Sequence, residues 1–148
     1  MKALIVYDTK YGNTKKVAEL IGEGLKIIEE NEVIIENVKE IDLNKDKVYD
    51  LILIGSPNHM GSHTESVRKF IKRLPKGSLK GKSFAVFDTY ISKDYEKAVK
   101  KMEKQINKVI PNLNKAISGL SIKVGGMKGP IVEEDLSKCK EFGIKLAK

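Results

Sequence analysis

Apolar residues recur along the chain in two alternating rhythms, short continuous runs and longer stretches carrying one apolar stripe. Ala3 to Tyr7 is a continuous apolar run, as expected of a strand buried on both faces. From Thr14 to Glu30, Val17, Leu20, Ile21, Leu25 and Ile28 fall near one helical face, with Glu19, Glu23, Glu29 and Glu30 largely elsewhere. The β-branched stretch Val33 to Val38 predicts a second strand, and Lys39 to Val48 is polar and predicts at most one helical turn. Asp50 to Ser56, with Leu51, Ile52, Leu53 and Ile54 at its centre, predicts a third strand. Val67, Phe70, Ile71 and Leu74 mark one buried stripe on a helix from Thr64 to Leu74, which Pro75 and Gly77 stop. Ser83 to Phe87 predicts a fourth strand, followed by a helix that Ser92 or Asp94 can cap and that buries Ala98, Val99, Met102 and Ile106 before Pro111. A fifth strand is expected at Ser121 to Val124, and a last helix after Pro130 with Leu136, Cys139, Gly143 and Leu146 inside.

Strands this apolar, alternating with helices, require cover on both faces and right-handed crossovers. The expectation is an α/β chain: a three-layer α/β/α, doubly wound, five-stranded parallel sheet, forming one domain over residues 1–148. No apolar run approaches the length of a membrane span, and the apolar stretch before Asp8 is too short for a signal peptide. The one cysteine, Cys139, reads as a small core side chain and excludes an internal disulfide, so a cytoplasmic address is expected. The net charge is +8, with residues 1–50 holding 8 basic and 11 acidic side chains, so the surplus lies in the later two thirds. Its densest part, Arg68 to Lys82, reads as a solvated face around a helix C-terminus, with a docking surface as the alternative and nucleic acid disfavoured.

In a doubly wound sheet, ligands bind outside the carboxyl ends of the strands, which directs attention to three loops. The first is Thr9-Lys10-Tyr11-Gly12-Asn13-Thr14. It leads from a strand into a helix whose first N–H groups lack intrahelical partners and attract anions. Thr9 and Thr14 add hydroxyls and Gly12 permits close approach, so the stretch is a candidate phosphate cradle; an ordinary turn with Thr14 as N-cap is the alternative. The second loop runs Gly55-Ser56-Pro57-Asn58-His59-Met60-Gly61-Ser62-His63, and the third runs Asp88-Thr89-Tyr90-Ile91-Ser92. Tyr90 can stack on a flat ring and Met60 can pack against one, an inventory suited to a planar aromatic ligand bearing a phosphate.

Along essentially its whole length the chain resembles the short-chain flavodoxins. Thr9 to Thr14 matches that family's T/S-x-x-G-N-T loop for the phosphate of flavin mononucleotide (FMN), and Met60-Gly61 resembles a Met-Gly pair that some members place beside the flavin. Gly125 to Pro130 resembles a segment after the fifth strand in related sequences. The resemblance implies the flavodoxin-like strand order 2-1-3-4-5 and an FMN-binding one-electron carrier, a monomer serving a donor and an acceptor redox protein by cycling the flavin through its semiquinone. It further implies that the peptide at Gly61 turns over to bond flavin N5 on reduction. Ser56, Pro57 and Asn58 would flank the ribityl chain or ring edge, backbone groups at Asp88 and Thr89 would meet the ring's polar end, and His59 and Tyr90 are counted among the cofactor-binding residues.

Two departures stand out. Flavodoxins are commonly acidic, whereas this chain is basic, and Lys10 lies in a loop that in the family works through neutral donors. Positive charge near a reduced flavin should make the protein a less extreme reductant than acidic members. Other readings lack their residues. A response regulator needs an aspartate where Gly55-Ser56 stand, and a phosphatase needs a cysteine in the first loop. No complete G-x-x-x-x-G-K-S/T or G-x-G-x-x-G occurs, and His59 and His63 have no further ligands nearby for a metal. The enzymatic alternative is a small FMN-dependent NAD(P)H:quinone or porphyrinogen-type oxidoreductase, for whose substrate pocket the short connections leave little chain. The non-enzymatic alternative is a flavin-free docking or polyanion-binding module using the Arg68 to Lys82 run. The sequence also resembles flavodoxin domains fused to diiron oxidases.

Overall fold

Side chains on a strand point alternately to opposite faces, so a strand apolar at every position needs a core on both sides. That is the arrangement found in the computed structural model, which describes residues 1–42 and 48–148. The first strand, β1 (Lys2–Tyr7), sends Ala3, Ile5 and Tyr7 into one core and Leu4 and Val6 into the other. It pairs in parallel with β2 (Glu32–Asn37) and β3 (Leu51–Pro57), and β3 pairs with β4 (Ser83–Tyr90), giving the order β2-β1-β3-β4. The fifth position is shared by two short strands, β5 (Asn114–Lys115) and β6 (Leu120–Lys123), both parallel to β4. Ser83 faces Asn114 but Phe87 faces Leu120, so residues 116–119 bulge where β4 advances by Ala85 and Val86 alone. The expected order 2-1-3-4-5 and the three layers are therefore present, with the fifth strand broken.

Helix α1 (Asn13–Leu25) and the last helix, α5 (Leu136–Ala147), cover one face. On the other lie α2 (Glu65–Lys72), the single turn α3 (Lys76–Leu79) and α4 (Lys97–Val109). A 3-10 turn, Glu133–Asp135, leads into α5. The close crossing of α1 and α5 depends on two glycines. A Cβ on Gly24 would lie 2.1 Å from the Lys140 carbonyl oxygen, and one on Gly143 would lie 2.1 Å from that of Ile21.

Several boundaries differ from the sequence expectation, each for a local reason. Helix α1 ends at Leu25 rather than Glu30: Asn31 Nδ2 donates to the Leu25 carbonyl at 3.0 Å, and two adjacent acids would oppose the dipole at a helix C-terminus. Strand β4 runs on to Tyr90 because Pro57 pairs Thr89 on one side and Lys123 pairs Tyr90 on the other. Helix α4 starts at Lys97, capped by neither Ser92 nor Asp94; the Asp94 carboxylate instead pairs with Lys97 Nζ at 3.0 Å. Past Pro75 and Gly77 the chain makes one further helical turn, α3, before β4. Asn37 to Ile41 closes a helical turn through Ile41 N–H to the Asn37 carbonyl at 3.2 Å, and the rest of the stretch expected to be polar reaches residues 43–47, outside the described residues.

Candidate functional site

The C-terminal ends of β1, β3 and β4 open into a cavity of about 420 Å³, within the usual range for cofactor sites. Three loops shape it, and each is held by its own bonds. In the first, Gly12 N–H donates to Thr9 Oγ1 at 2.9 Å, closing a small turn, and Gly12 takes φ +93, which a side chain would resist. The α1 ladder begins with Lys16 N–H to the Gly12 carbonyl at 3.0 Å, so the N–H groups of Asn13, Thr14 and Lys15 precede it. No side chain caps this helix and its first turn has no acid. Thr14 is not the N-cap: it is buried within α1, its hydroxyl sharing a 2.9 Å hydrogen bond with that of Thr89. Thus an open helix N-terminus faces the cavity, with Thr9, Lys10, Tyr11, Asn13 and Thr14 all on its wall.

In the second loop, His59 and Ser62 exchange backbone bonds of 2.7 and 3.1 Å around Met60 (φ 53) and Gly61 (φ 79). Positive φ at both central residues is the signature of a tight hairpin turn. Asn58 ties this turn down. Its Oδ1 accepts from Gly61 N–H at 2.9 Å, its Nδ2 donates to the Asp94 carbonyl at 3.2 Å, and its N–H donates to the Thr89 carbonyl at 2.8 Å. Behind it, the buried Ser56 hydroxyl donates to the Pro57 carbonyl and accepts from Thr64 N–H at 3.0 Å. Thr64 caps α2 and donates its hydroxyl to the Asp8 carboxylate at 2.7 Å. Asp8, an acid on the cavity wall, is thereby turned toward the positive end of α2.

His63, next in the chain, is buried. Its Nε2 meets Gln105 Oε1 at 2.6 Å, and desolvation lowers its pKa. Among the described residues no cluster of histidine, cysteine or acidic groups could hold a metal. The third loop is mostly strand. Along β4 the alternation sends Thr89 toward α1, whereas Asp88 and Tyr90 fall on the α4 side. Asp88 is fully buried, receiving the Ser121 hydroxyl and, at 3.0 Å, the Val99 N–H; burial raises its pKa to about 6. The Tyr90 ring packs edge-on against Tyr95 at 5.5 Å.

Of the residues singled out in the sequence, the cavity wall therefore gathers Thr9, Lys10, Tyr11, Asn13, Thr14, Pro57, Asn58, His59 and Thr89. Gly12, Ser56, Gly61 and Asp88 shape the loops and strands behind it, while Met60 is 92% exposed and Tyr90 stands aside. Lys39, Thr64, Ile91, Val124 and Met127 complete the wall. The strand-end rule applied to β2 and β6 as well would have reached Lys39 and Val124. Met127 belongs to the loop between Val124 and Ile131, which are bridged antiparallel and bring Gly129 against the Asn13 side chain. Of the densest basic run, Arg68 bonds the second loop, donating to Ser62 Oγ at 3.4 Å and to the His63 carbonyl at 3.3 Å, and the rest leads away. Helix α2 leads back to the opposite sheet edge, where Lys82 N–H bonds the Leu79 carbonyl and Lys82 Nζ pairs with Asp50 at 3.5 Å.

The sequence matches the family described as "Flavodoxin domain" over residues 4–124. The chain belongs to this family. A flavodoxin of Aquifex aeolicus is 39% identical over 69 residues, 47% of this chain and 37% of its own length. A flavodoxin of Clostridium saccharobutylicum is 33% identical over 89 residues, 60% of this chain and 56% of that protein. The matched stretches thus span about half or less of these relatives. The solved structure of oxidised flavodoxin 2 from Bacillus cereus superposes with a TM-score of 0.81 at 28% identity, over 99% of this chain and 98% of that one. Family membership implies a flavin cofactor. Among the described residues, no helix is long and apolar enough to cross a membrane.

Proposed function

We propose that the cavity holds FMN and that residues 1–148 act as one flavodoxin-like domain. In this reading the protein is a monomeric one-electron carrier in the cytoplasm, working between redox protein partners. The observation that carries the proposal is the open N-terminus of α1. Its leading N–H groups precede the helical ladder, no side chain caps it, and Gly12 at φ +93 leaves the approach clear. A phosphate supplies the missing acceptor and interacts favourably with the helix dipole. Thr9, Lys10, Tyr11, Gly12, Asn13 and Thr14 are the residues to hold it. The remaining wall fits a planar ring with polar edges: Pro57, Ile91, Val124 and Met127 give apolar flanks, and Asn58 and Thr89 give polar groups.

Bound there, FMN supplies the one-electron chemistry, and the chain binds it, orients it and limits its contact with water. The turn at Met60 and Gly61 presents backbone groups beside the ring, with Ser56 and His59 at its base. Asp88 and Tyr90 brace the strand beneath Thr89. The expected result on mixing the purified protein with flavins is tight FMN binding, visible as a shifted flavin absorbance and quenched fluorescence. Riboflavin, which lacks the phosphate, should bind about 100-fold more weakly, the loss of charge-assisted bonds worth about 3 kcal/mol. Equal affinity for both flavins, or none for either, would overturn the assignment. Unaided oxidation of NAD(P)H with a quinone acceptor would instead indicate an oxidoreductase.

A further inference from the structure

The turn at Met60 and Gly61 is backed by a circuit of side chains that the cavity does not use. His63 is 5% exposed and absent from the cavity wall, and its Nε2 lies 2.6 Å from Gln105 Oε1 on α4. The Gln105 amide can sit only one way round, because its Nε2 donates to the Arg68 carbonyl at 3.0 Å. An amide oxygen only accepts, so His63 Nε2 carries the proton and Nδ1 of the neutral imidazole is an acceptor. Ser62 Oγ stands 3.4 Å from that Nδ1, and Arg68 Nη2 donates to Ser62 Oγ at 3.4 Å and to the His63 carbonyl at 3.3 Å. Ser62 thus accepts from Arg68 and donates to His63, which closes the circuit between the loop, α2 and α4.

Ser62 is also the residue that closes the turn. Its carbonyl accepts from His59 N–H at 2.7 Å, and its own N–H, part of the peptide that follows Gly61, donates to the His59 carbonyl at 3.1 Å. A second proton on His63 would convert Nδ1 from acceptor to donor, so the Ser62 hydroxyl must turn away. The new charge would be desolvated and would face Arg68 on α2 and Lys101 on α4. The acids of the surrounding elements are engaged elsewhere. Asp8 accepts from Thr64 and Asp88 from Val99 and Ser121, while Glu65, Asp94, Glu96 and Glu103 pair with Lys69, Lys97, Lys100 and Lys115. His59, the other titratable group of the turn, is exposed.

We propose that His63, oriented by Gln105 and Arg68, is a positioning residue for the flavin loop: its neutral Nε2–H form holds Ser62, and through Ser62 the Met60–Gly61 turn. The inference rests on the carrier reading above and adds what holds the peptide after Gly61 before any electron arrives. His63 acts from behind the turn and not from the cavity. Proton uptake from water at Nδ1 breaks only the hydrogen bond from Ser62 and leaves the turn to its two backbone bonds. The site should accordingly bind flavin less well once His63 is charged.

The test follows hydrogen exchange of the Ser62 amide in the flavin-free protein from pH 8 to pH 5, corrected for the intrinsic pH dependence of exchange. NMR of the His63 ring should show the Nε2–H tautomer and a midpoint below 6.5. Ser62 protection should fall about tenfold across that midpoint, equivalent to one pKa unit of coupling. His63→Gln, which keeps a donor toward Gln105 but does not titrate, should hold its protection at pH 5; His59 is common to both proteins and cancels. Gln105→Glu, which offers the imidazole a carboxylate, should raise the midpoints of ring and protection together. The loss of FMN affinity between pH 8 and pH 5 should be about tenfold smaller in His63→Gln than in the parent, the titration of the FMN phosphate being shared. An Nδ1–H tautomer, a Ser62 amide indifferent to His63, or equal affinity losses would each overturn the proposal. Protection that follows His63 in a protein without FMN affinity would remove the cofactor assignment and keep the hold on the turn. FMN binding with protection indifferent to His63 would remove the positioning role alone.

Discussion

Asp88, in the middle of the sheet, caps a helix that starts nine residues after it in sequence: its carboxylate accepts the backbone N–H of Val99 at 3.0 Å, in the first turn of α4. Ser121 completes the arrangement, donating its hydroxyl to Asp88 and accepting from Glu96 N–H at 2.9 Å. A strand, a helix and the broken fifth strand meet through one buried acid.

That acid makes stability depend on pH. Burial raises the Asp88 pKa from 3.8 unfolded to about 6 folded, so the folded state binds more protons between those values. Its contribution is therefore full below pH 3.8 and is lost as pH rises to about 6, on the order of 3 kcal/mol. Asp88→Asn keeps an acceptor for Val99 and a donor for Ser121 without the charge. Urea unfolding from pH 4 to 7 should show the variant gaining on the parent as pH rises through about 6, with neutral-pH stability equal to or above that of the parent. Asp88→Ala, which orphans the Val99 N–H, should cost about 2–3 kcal/mol. His63 acts in the opposite sense, losing stability as pH falls through and below 6.5, and cancels in the comparison of the two curves.

The crossing of α1 and α5 tolerates no side chain at its closest point. Glycine inside a helix ordinarily costs about 1 kcal/mol relative to alanine. Here the order reverses, because a Cβ at Gly24 or Gly143 would meet backbone at 2.1 Å. Gly143→Ala should destabilise by about 2–3 kcal/mol in chemical denaturation, the cost of overpacking. Gly77→Ala, with nothing within 4 Å of the new methyl group, should be neutral or slightly stabilising.

Cys139 sits on the inner face of α5, in the core cluster, and burial pushes its thiol up to about 12. The folded protein should therefore resist iodoacetamide at pH 8, and labelling should track denaturant-induced unfolding. Rapid labelling without unfolding would show that the helix opens locally.

How much of this was legible in the chain depends on which rule each residue obeyed. The strands were readable because Leu4 to Val6 and Ile52 to Ile54 are apolar at successive positions, which only a sheet covered twice can bury. The first loop was readable from Gly12 and its flanking hydroxyls. Less visible were boundaries set by distant partners. Nothing near Lys97 announces a helix start, because Asp88 and Ser121 cap it through space. Tyr90 shows a rule left unapplied: alternation along β4 separates it from Thr89, so only one of the two can look toward α1. Lys39 was hidden in a polar stretch whose position beside β1 becomes clear only when Tyr7 pairs with Asn37.

The pair Met60 and Gly61 separates folding from function most sharply. Both occupy positive φ, 53 and 79, in the turn closed by His59 and Ser62. Asparagine tolerates the first of these positions far better than methionine, and Asn-Gly is the favoured sequence for such turns. Met60→Asn should thus raise stability by about 0.5 kcal/mol and leave the cavity unaltered, since the Met60 side chain is directed to solvent. Gly61→Ala should cost about 1 kcal/mol through backbone strain alone, because the new methyl group would meet only Lys97 Cδ at 3.8 Å. With FMN bound, the two variants should diverge in a redox titration. Gly61→Ala should narrow the gap between uptake of the first and second electrons, because alanine resists the turning over of the Gly61–Ser62 peptide, whose N–H now donates to the His59 carbonyl at 3.1 Å. Met60→Asn should preserve the gap. An unchanged gap in Gly61→Ala would show that this peptide does not respond to the electron.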